Sequence, residues 1–158
     1  MDFEKLSSGT CPVGRALAHV GDTWSVLILR DVTFGMRRFD QLQKNLGIAP
    51  NILTRRLAAL TAAGVLERRR YSERPPRDEY VLTESGRDFL PVLHVLGAWA
   101  RKHHGEGALS ALIDTATGDA VDAVVVDGRT GRTLAELDLS LVPPPAMSLS
   151  DSETAATP

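Results

Sequence analysis

A chain of 158 residues, 43% hydrophobic and 24% charged, has the material for one modest core rather than two independently folded domains. Its formal charge of −2 gives no global reason to seek a polyanion, and its single cysteine, Cys11, has no partner for an internal disulfide. No run of about 18 apolar residues is present and the start MDFEKLSSGT has no basic-then-apolar leader pattern, so a cytoplasmic protein outside the membrane is expected.

Cys11-Pro12 opens a first short helix, because proline suits the first helical position; Val13, Leu17 and Val20 follow before Gly21. Asp22 or Thr23 can cap the next helix, whose Trp24, Val26, Leu27, Ile28 and Leu29 must lie deep in the core, with Gly35 closing it. RRFDQLQKNLG then places Phe39, Leu42 and Leu46 on one face and stops at Gly47. Pro50 begins a further helix, NILTRRLAALTAAG, in which Leu53, Leu57 and Leu60 form the buried stripe, with Asn51, Thr54, Arg55 and Ala58 opposite. Two short helices joined by a tight turn, the second with a small, polar, cationic outer face, suit insertion into a major groove about 12 Å wide.

Residues 65–71 and 79–83 are predicted as the two strands of a hairpin wing, with SERPPRD as the loop between them and Arg74 and Arg77 flanking Pro75-Pro76. Thr83 can cap a last long helix, SGRDFLPVLHVLGAWARKHHG, apolar nearly all round, with a kink or break expected at Pro91. One face of that helix lacks an intramolecular partner, which points to burial between two subunits. Beyond Gly107, Val121–Val126, a turn over 127–131 and the alternating Leu137, Leu139 and Leu141 predict a β-hairpin extension; TATGDA before it reads as a loop. Residues 143–158 have the composition of a disordered tail, and no internal repeat stands out. The division expected is thus 1–107, 108–142 and 143–158.

The net charge conceals an asymmetry. Over 37–77 ten basic residues face three acidic ones, a net of +7, whereas over 108–158 two basic residues face eight acidic, a net of −6. The first block suits a polyanion surface and the second a segment held away from it.

The pieces W-x-x-x-I-L-R, R-F-x-x-L, L-T-x-R-L-x-x-L-x-x-x-G, P-P-x-x-E-Y and L-T-x-x-G occur in order between about Cys11 and Gly105. In these the chain resembles the HxlR family of bacterial transcriptional regulators, a winged-helix group similar to the MarR family. The resemblance implies a mainly α fold with a small β wing (α+β), a winged helix-turn-helix dimerising through its N- and C-terminal helices. It also implies a homodimer that binds a palindromic operator in double-stranded DNA, here expected to act as a repressor. By matching positions, Asn51, Thr54, Arg55 and Arg56 are the groove-side residues, Arg74 and Arg77 the wing residues, and Arg38 a backbone contact. Ala49 stands where the family commonly has a capping serine, which would leave the helix start less well fixed by about 1 kcal/mol.

Cys11 carries two readings. Members of the family respond to oxidants or electrophiles through a cysteine at this place, and the positive end of a helix favours negative charge there, with Lys5 or Arg15 near in sequence. The other reading is a small hydrophobe at the subunit contact, which leaves a ligand-responsive regulator with a small-molecule effector, or a winged helix that binds protein. Four scattered histidines, His19, His94, His103 and His104, give no metal-ligand spacing, and no cofactor is implied. No G-x-S-x-G, phosphate-binding glycine loop or nucleophile with a neighbouring base suggests an enzyme.

Overall fold

The computed structural model describes residues 7–144. Its elements are α1 (Pro12–Val20), α2 (Thr23–Thr33), α3 (Phe39–Leu46), α4 (Pro50–Ala62), β1 (Leu66–Glu73), β2 (Pro76–Leu82), α5 (Glu84–Asp88), α6 (Leu90–His103) and a 3-10 turn, Leu134–Glu136.

Helix α2 is central, packing on α3, α4, β2 and α6. It starts at Asp22, whose carboxylate accepts from the Ser25 amide at 3.1 Å and from the Ser25 hydroxyl, so an N-terminal amide is satisfied while the helix enters the core. Ile28, Leu29 and Val32 bury one side of α2; Leu42 of α3, Ile48 of the turn and Leu53, Leu57 and Leu60 of α4 close over it. The α3–α4 turn runs through Gly47, whose φ of 61° is left-handed and therefore suited to glycine. Ile48 plugs the core from that turn, 3% exposed.

Strands β1 and β2 form an antiparallel pair whose last rung is Glu73↔Pro76. The predicted seven-residue loop is therefore a two-residue turn, Arg74-Pro75. Pro76 is tolerated as the first residue of a strand, where its missing N–H interrupts no inner ladder. Tyr71 is squeezed out between the Arg70↔Asp78 and Ser72↔Arg77 rungs as a bulge. At the other end, the Tyr80 amide donates to the Arg37 carbonyl at 2.7 Å, tying the wing to the α2–α3 linker.

The predicted long last helix is two. Thr83 caps α5, accepting from the Gly86 amide at 3.1 Å, and the break falls at Phe89, with Pro91 in the first turn of α6. Gly86 is buried where a Cβ would come within 2.3 Å of the Val65 carbonyl oxygen, so α5 lies against the start of the wing only because that residue has no side chain. Phe89 and Leu93 pack on the core, whereas Val92, Leu96 and Trp99 remain about half exposed.

The extension corrects two sequence expectations. The turn over 127–131 forms, but it closes with a single bridge, Val126↔Thr133, so the partner segment is Thr133–Leu134 rather than Leu137–Leu141. A second turn of the same build precedes it, closed by Ile113↔Ala120. In both, an aspartate carbonyl accepts from a glycine amide four residues on (Asp114 from Gly118, 2.7 Å; Asp127 from Gly131, 2.8 Å), and its carboxylate accepts from the amide two residues on. A D-x-x-T-G repeat at a spacing of 13 residues is therefore present at Asp114 and Asp127. Of the expected tail, residues 145–158 lie outside the described residues.

Candidate nucleic-acid interface

Helix α4 presents the face that the helical period demands. Leu53, Leu57 and Leu60 are fully buried, while Asn51, Thr54, Arg55 and Ala58 lie exposed on the outer side. Ala49 at the N-cap supplies no side-chain cap, as its methyl dictates. The Ile52 N–H is shared between the Ala49 carbonyl and the Asn51 amide oxygen, each at 3.0 Å. Thr54 donates its hydroxyl to the Pro50 carbonyl at 2.9 Å. Both polar side chains are held locally, and the Arg55 guanidinium projects without an ion-pair partner among the described residues.

Arg56 differs from its neighbours. It is half-buried, with Nε 3.1 Å from Asp22 Oδ1, within ion-pair distance although not aligned as a hydrogen bond. It thus bridges α4 to the capping residue of α2, and the structure sets it apart from Asn51, Thr54 and Arg55. Arg38 stands at the N-cap of α3, where its backbone N–H donates to the Gln41 side chain at 3.1 Å. Its Nε lies 3.6 Å from Asp40 Oδ1. Arg37, Arg38 and Gln41 share a surface cleft of about 400 Å³ with Tyr71 and Glu79 of the wing, so the start of α3 and the wing flank one depression.

The wing separates its arginines into two sets. Arg74 at the turn and Arg77 one residue into β2 are exposed and have no acidic partner among the described residues. The three at the base are paired within the sheet. Arg68 donates from Nε (3.0 Å) and Nη2 to Asp78 Oδ2, Arg70 donates from Nε to Asp78 Oδ1 at 3.1 Å, and Arg69 donates to Glu79 Oε1 at 3.1 and 2.6 Å. Hydrogen bonds first from Arg70 and then from Arg68 hold the Asp78 carboxyl below its ordinary 3.8, and the bonds to Asp78 and Glu79 raise Arg68 and Arg69.

Sequence reading missed this pairing, together with Asp22–Arg56. The turn alone would not have given it: a two-residue turn at Arg74-Pro75 sets Arg70 opposite Glu79, and the bulge at Tyr71 shifts the register by one to put Arg70 opposite Asp78 and Arg69 opposite Glu79. The positive block of residues 37–77 is consequently smaller as a field than as a sum. Its unpaired members are Arg37, Lys44, Arg55, Arg74 and Arg77 among the described residues.

Cys11 is exposed and is itself the N-cap of α1, its Sγ accepting from the Gly14 amide at 3.4 Å. Arg15 donates to the Gly9 carbonyl at 2.6 Å, and Lys5 lies outside the described residues. His103 and His104 stand against Trp99, at ring separations of 5.8 and 4.9 Å. No group of three metal-ligating side chains occurs among the described residues, and none of their helices is long and apolar enough to cross a membrane. A cleft of about 420 Å³ lies between α2, α6 and residues 109–112, with Arg30, Phe34, Leu93, His94, Arg101 and Leu112 among its walls.

Comparison with known proteins agrees with this geometry. An uncharacterized HTH-type transcriptional regulator of Mycobacterium tuberculosis, Rv3095, is 42% identical over 134 residues, spanning 75% of this chain and 85% of the relative. The crystal structure of PA1607, a candidate transcription factor, superposes with a TM-score of 0.78 at 34% identity, covering 86% of this chain and 96% of PA1607. The redox regulator HypR in its reduced form matches at a TM-score of 0.56 and 29% identity, over 60% of this chain and 94% of HypR. Such relatives are regulators rather than enzymes. The HxlR-like helix-turn-helix family model matches residues 19–107, from the end of α1 to just past α6, and the chain belongs to that family of DNA-binding transcriptional regulators.

Proposed function

We propose that the protein is a sequence-specific homodimeric repressor of the cytoplasm that binds a palindromic operator. The carrying observation is the outer face of α4, where Asn51, Thr54, Arg55 and Ala58 stand clear of the core beside a wing tip bearing the unpaired Arg74 and Arg77. In this reading Arg55 and Asn51 read base edges, Thr54 and Ala58 allow close approach, and Arg38, Arg74 and Arg77 bind phosphates. Arg56 acts through its pair with Asp22, keeping α4 at its angle to α2. The half-exposed Val13 and Leu17 of α1 and Val92, Leu96 and Trp99 of α6 form the subunit contact. Residues 1–107 form the binding and dimerisation unit, and the acidic 108–142 segment supports the dimer away from DNA.

The test is fluorescence anisotropy on a duplex selected by the protein from a randomised pool and on its scrambled version, across a salt series, with sedimentation equilibrium alongside. Tight, steeply salt-dependent binding of the selected duplex by a dimer is expected. Equal weak binding to both duplexes would refute the reading.

A second reading concerns the signal. HypR is a redox regulator, and Cys11 is exposed at a helix start next to the exposed apolar face of α1. Modification of Cys11 by an oxidant or electrophile is proposed to change operator affinity; the cleft beside α6 is the alternative effector site.

A further inference from the structure

The charge at the base of the wing is arranged against itself. Asp78 lies directly opposite Arg70 in the sheet and diagonally opposite Arg68, and each of its carboxylate oxygens accepts from a different guanidinium. The carboxylate is 16% exposed, whereas Arg68 and Arg70 are 61% and 46% exposed. The two cations therefore cover the anion from the solvent side and remain within reach of anything that approaches the wing. Arg70 has a second, longer contact with Glu73 at 3.7 Å. One rung, Ser72↔Arg77, lies between the Arg70↔Asp78 pair and the closing pair Glu73↔Pro76, so the restrained arginines stand on the strand that leads to the tip.

We propose that Asp78 is a specificity-determining positioning residue: it holds Arg68 and Arg70 so that the free wing does not bind phosphates indiscriminately. The inference rests on the DNA-binding reading above. Two guanidiniums left free would add to affinity for every duplex, since phosphate attraction contains no sequence information. Exposed ion pairs are individually weak, so the arrangement restrains the arginines without locking them. Discrimination between duplexes is a ratio of affinities, and suppressing the sequence-independent part raises it.

The experiment compares full-length wild type, Asp78→Asn, Asp78→Glu and the triple variant Arg68→Gln/Arg70→Gln/Asp78→Asn on the selected and scrambled duplexes, from 50 to about 300 mM salt. Asp78→Asn is expected to bind the scrambled duplex several-fold more tightly, with log K against log salt steeper by about 1 to 2, from up to two added phosphate contacts. The selected-to-scrambled ratio falls. Asp78→Glu restores the wild-type ratio, and the triple variant loses the gain. Unchanged scrambled binding by folded Asp78→Asn overturns the proposal, as does a gain that persists in the triple variant, which would make Asp78 a mere negative charge. Weaker binding of both duplexes by Asp78→Asn also overturns it, because the carboxylate would then be presenting the arginines to DNA. Absence of DNA binding by the wild type is a separate failure, that of the function itself.

Discussion

The side-chain amide of Asn45 in α3 donates to Oδ2 of Asp31 in α2 at 2.8 Å, while Oδ1 of the same carboxylate accepts from Arg30 Nε and Nη2 at 2.8 and 2.7 Å. Asp31 is only 1% exposed. A buried carboxylate with one oxygen given to each of two partners is a joint between the central helix and the first helix of the DNA-binding pair.

Asn45→Ala leaves Oδ2 buried without a donor and is expected to cost about 1–3 kcal/mol. Asp31→Ala costs a similar amount, but the double variant loses less than the sum, because removing the carboxylate also removes the group that Asn45 satisfies. Urea unfolding of the four proteins checks this; strict additivity would show that the two residues are not coupled.

Leu57 and Arg55, two residues apart on α4, should separate stability from binding. Leu57→Ala removes a fully buried side chain and is expected to cost about 2–5 kcal/mol. Arg55→Ala changes stability by no more than about 0.5 kcal/mol, yet weakens operator binding. Thermal melting and anisotropy on the same preparations distinguish the two effects.

Gly86→Ala places a methyl group against the Val65 carbonyl, a backbone atom that cannot rotate away. A loss of about 1–3 kcal/mol is expected from overpacking. Gly97→Ala on α6, where an added Cβ meets nothing within 4 Å, serves as the control and should be near neutral or slightly stabilising.

The Asp78 carboxyl titrates below its ordinary 3.8 in the folded chain, so its ionised form is favoured by folding. The stabilisation is full above the unfolded value and disappears as pH falls through the lower folded value. Melting temperature followed from pH 6 to pH 2 should therefore fall less in Asp78→Asn than in wild type below about pH 4. Parallel profiles would show that the Arg68 and Arg70 contacts do not persist in solution.

Cys11→Ser tests the thiol reading. Diamide is expected to alter operator affinity of the wild type and leave the serine variant unchanged. Equal responses of the two proteins would eliminate Cys11 as the sensor.

The order of helices, turn and wing was legible in the sequence because its signals are local. Pro12 and Pro50 open helices through their restricted φ, Asp22 caps through an oxygen three residues from its donor, Gly47 ends α3 through a left-handed backbone, and the spacing of Leu53, Leu57 and Leu60 follows from 3.6 residues per turn. The outer face of α4 follows from the same arithmetic. What only the tertiary structure decided is which charges are free. Arg56 meets Asp22, Asn45 meets Asp31, and Arg68 and Arg70 meet Asp78 because packing and strand register bring distant residues within about 3 Å, a distance over which a partner decides whether an arginine is available to DNA. The wing illustrates the difference: it lies where the sequence placed it, but the two-residue turn at Arg74-Pro75 and the bulge at Tyr71 together decide that Arg70 faces Asp78 and Arg69 faces Glu79.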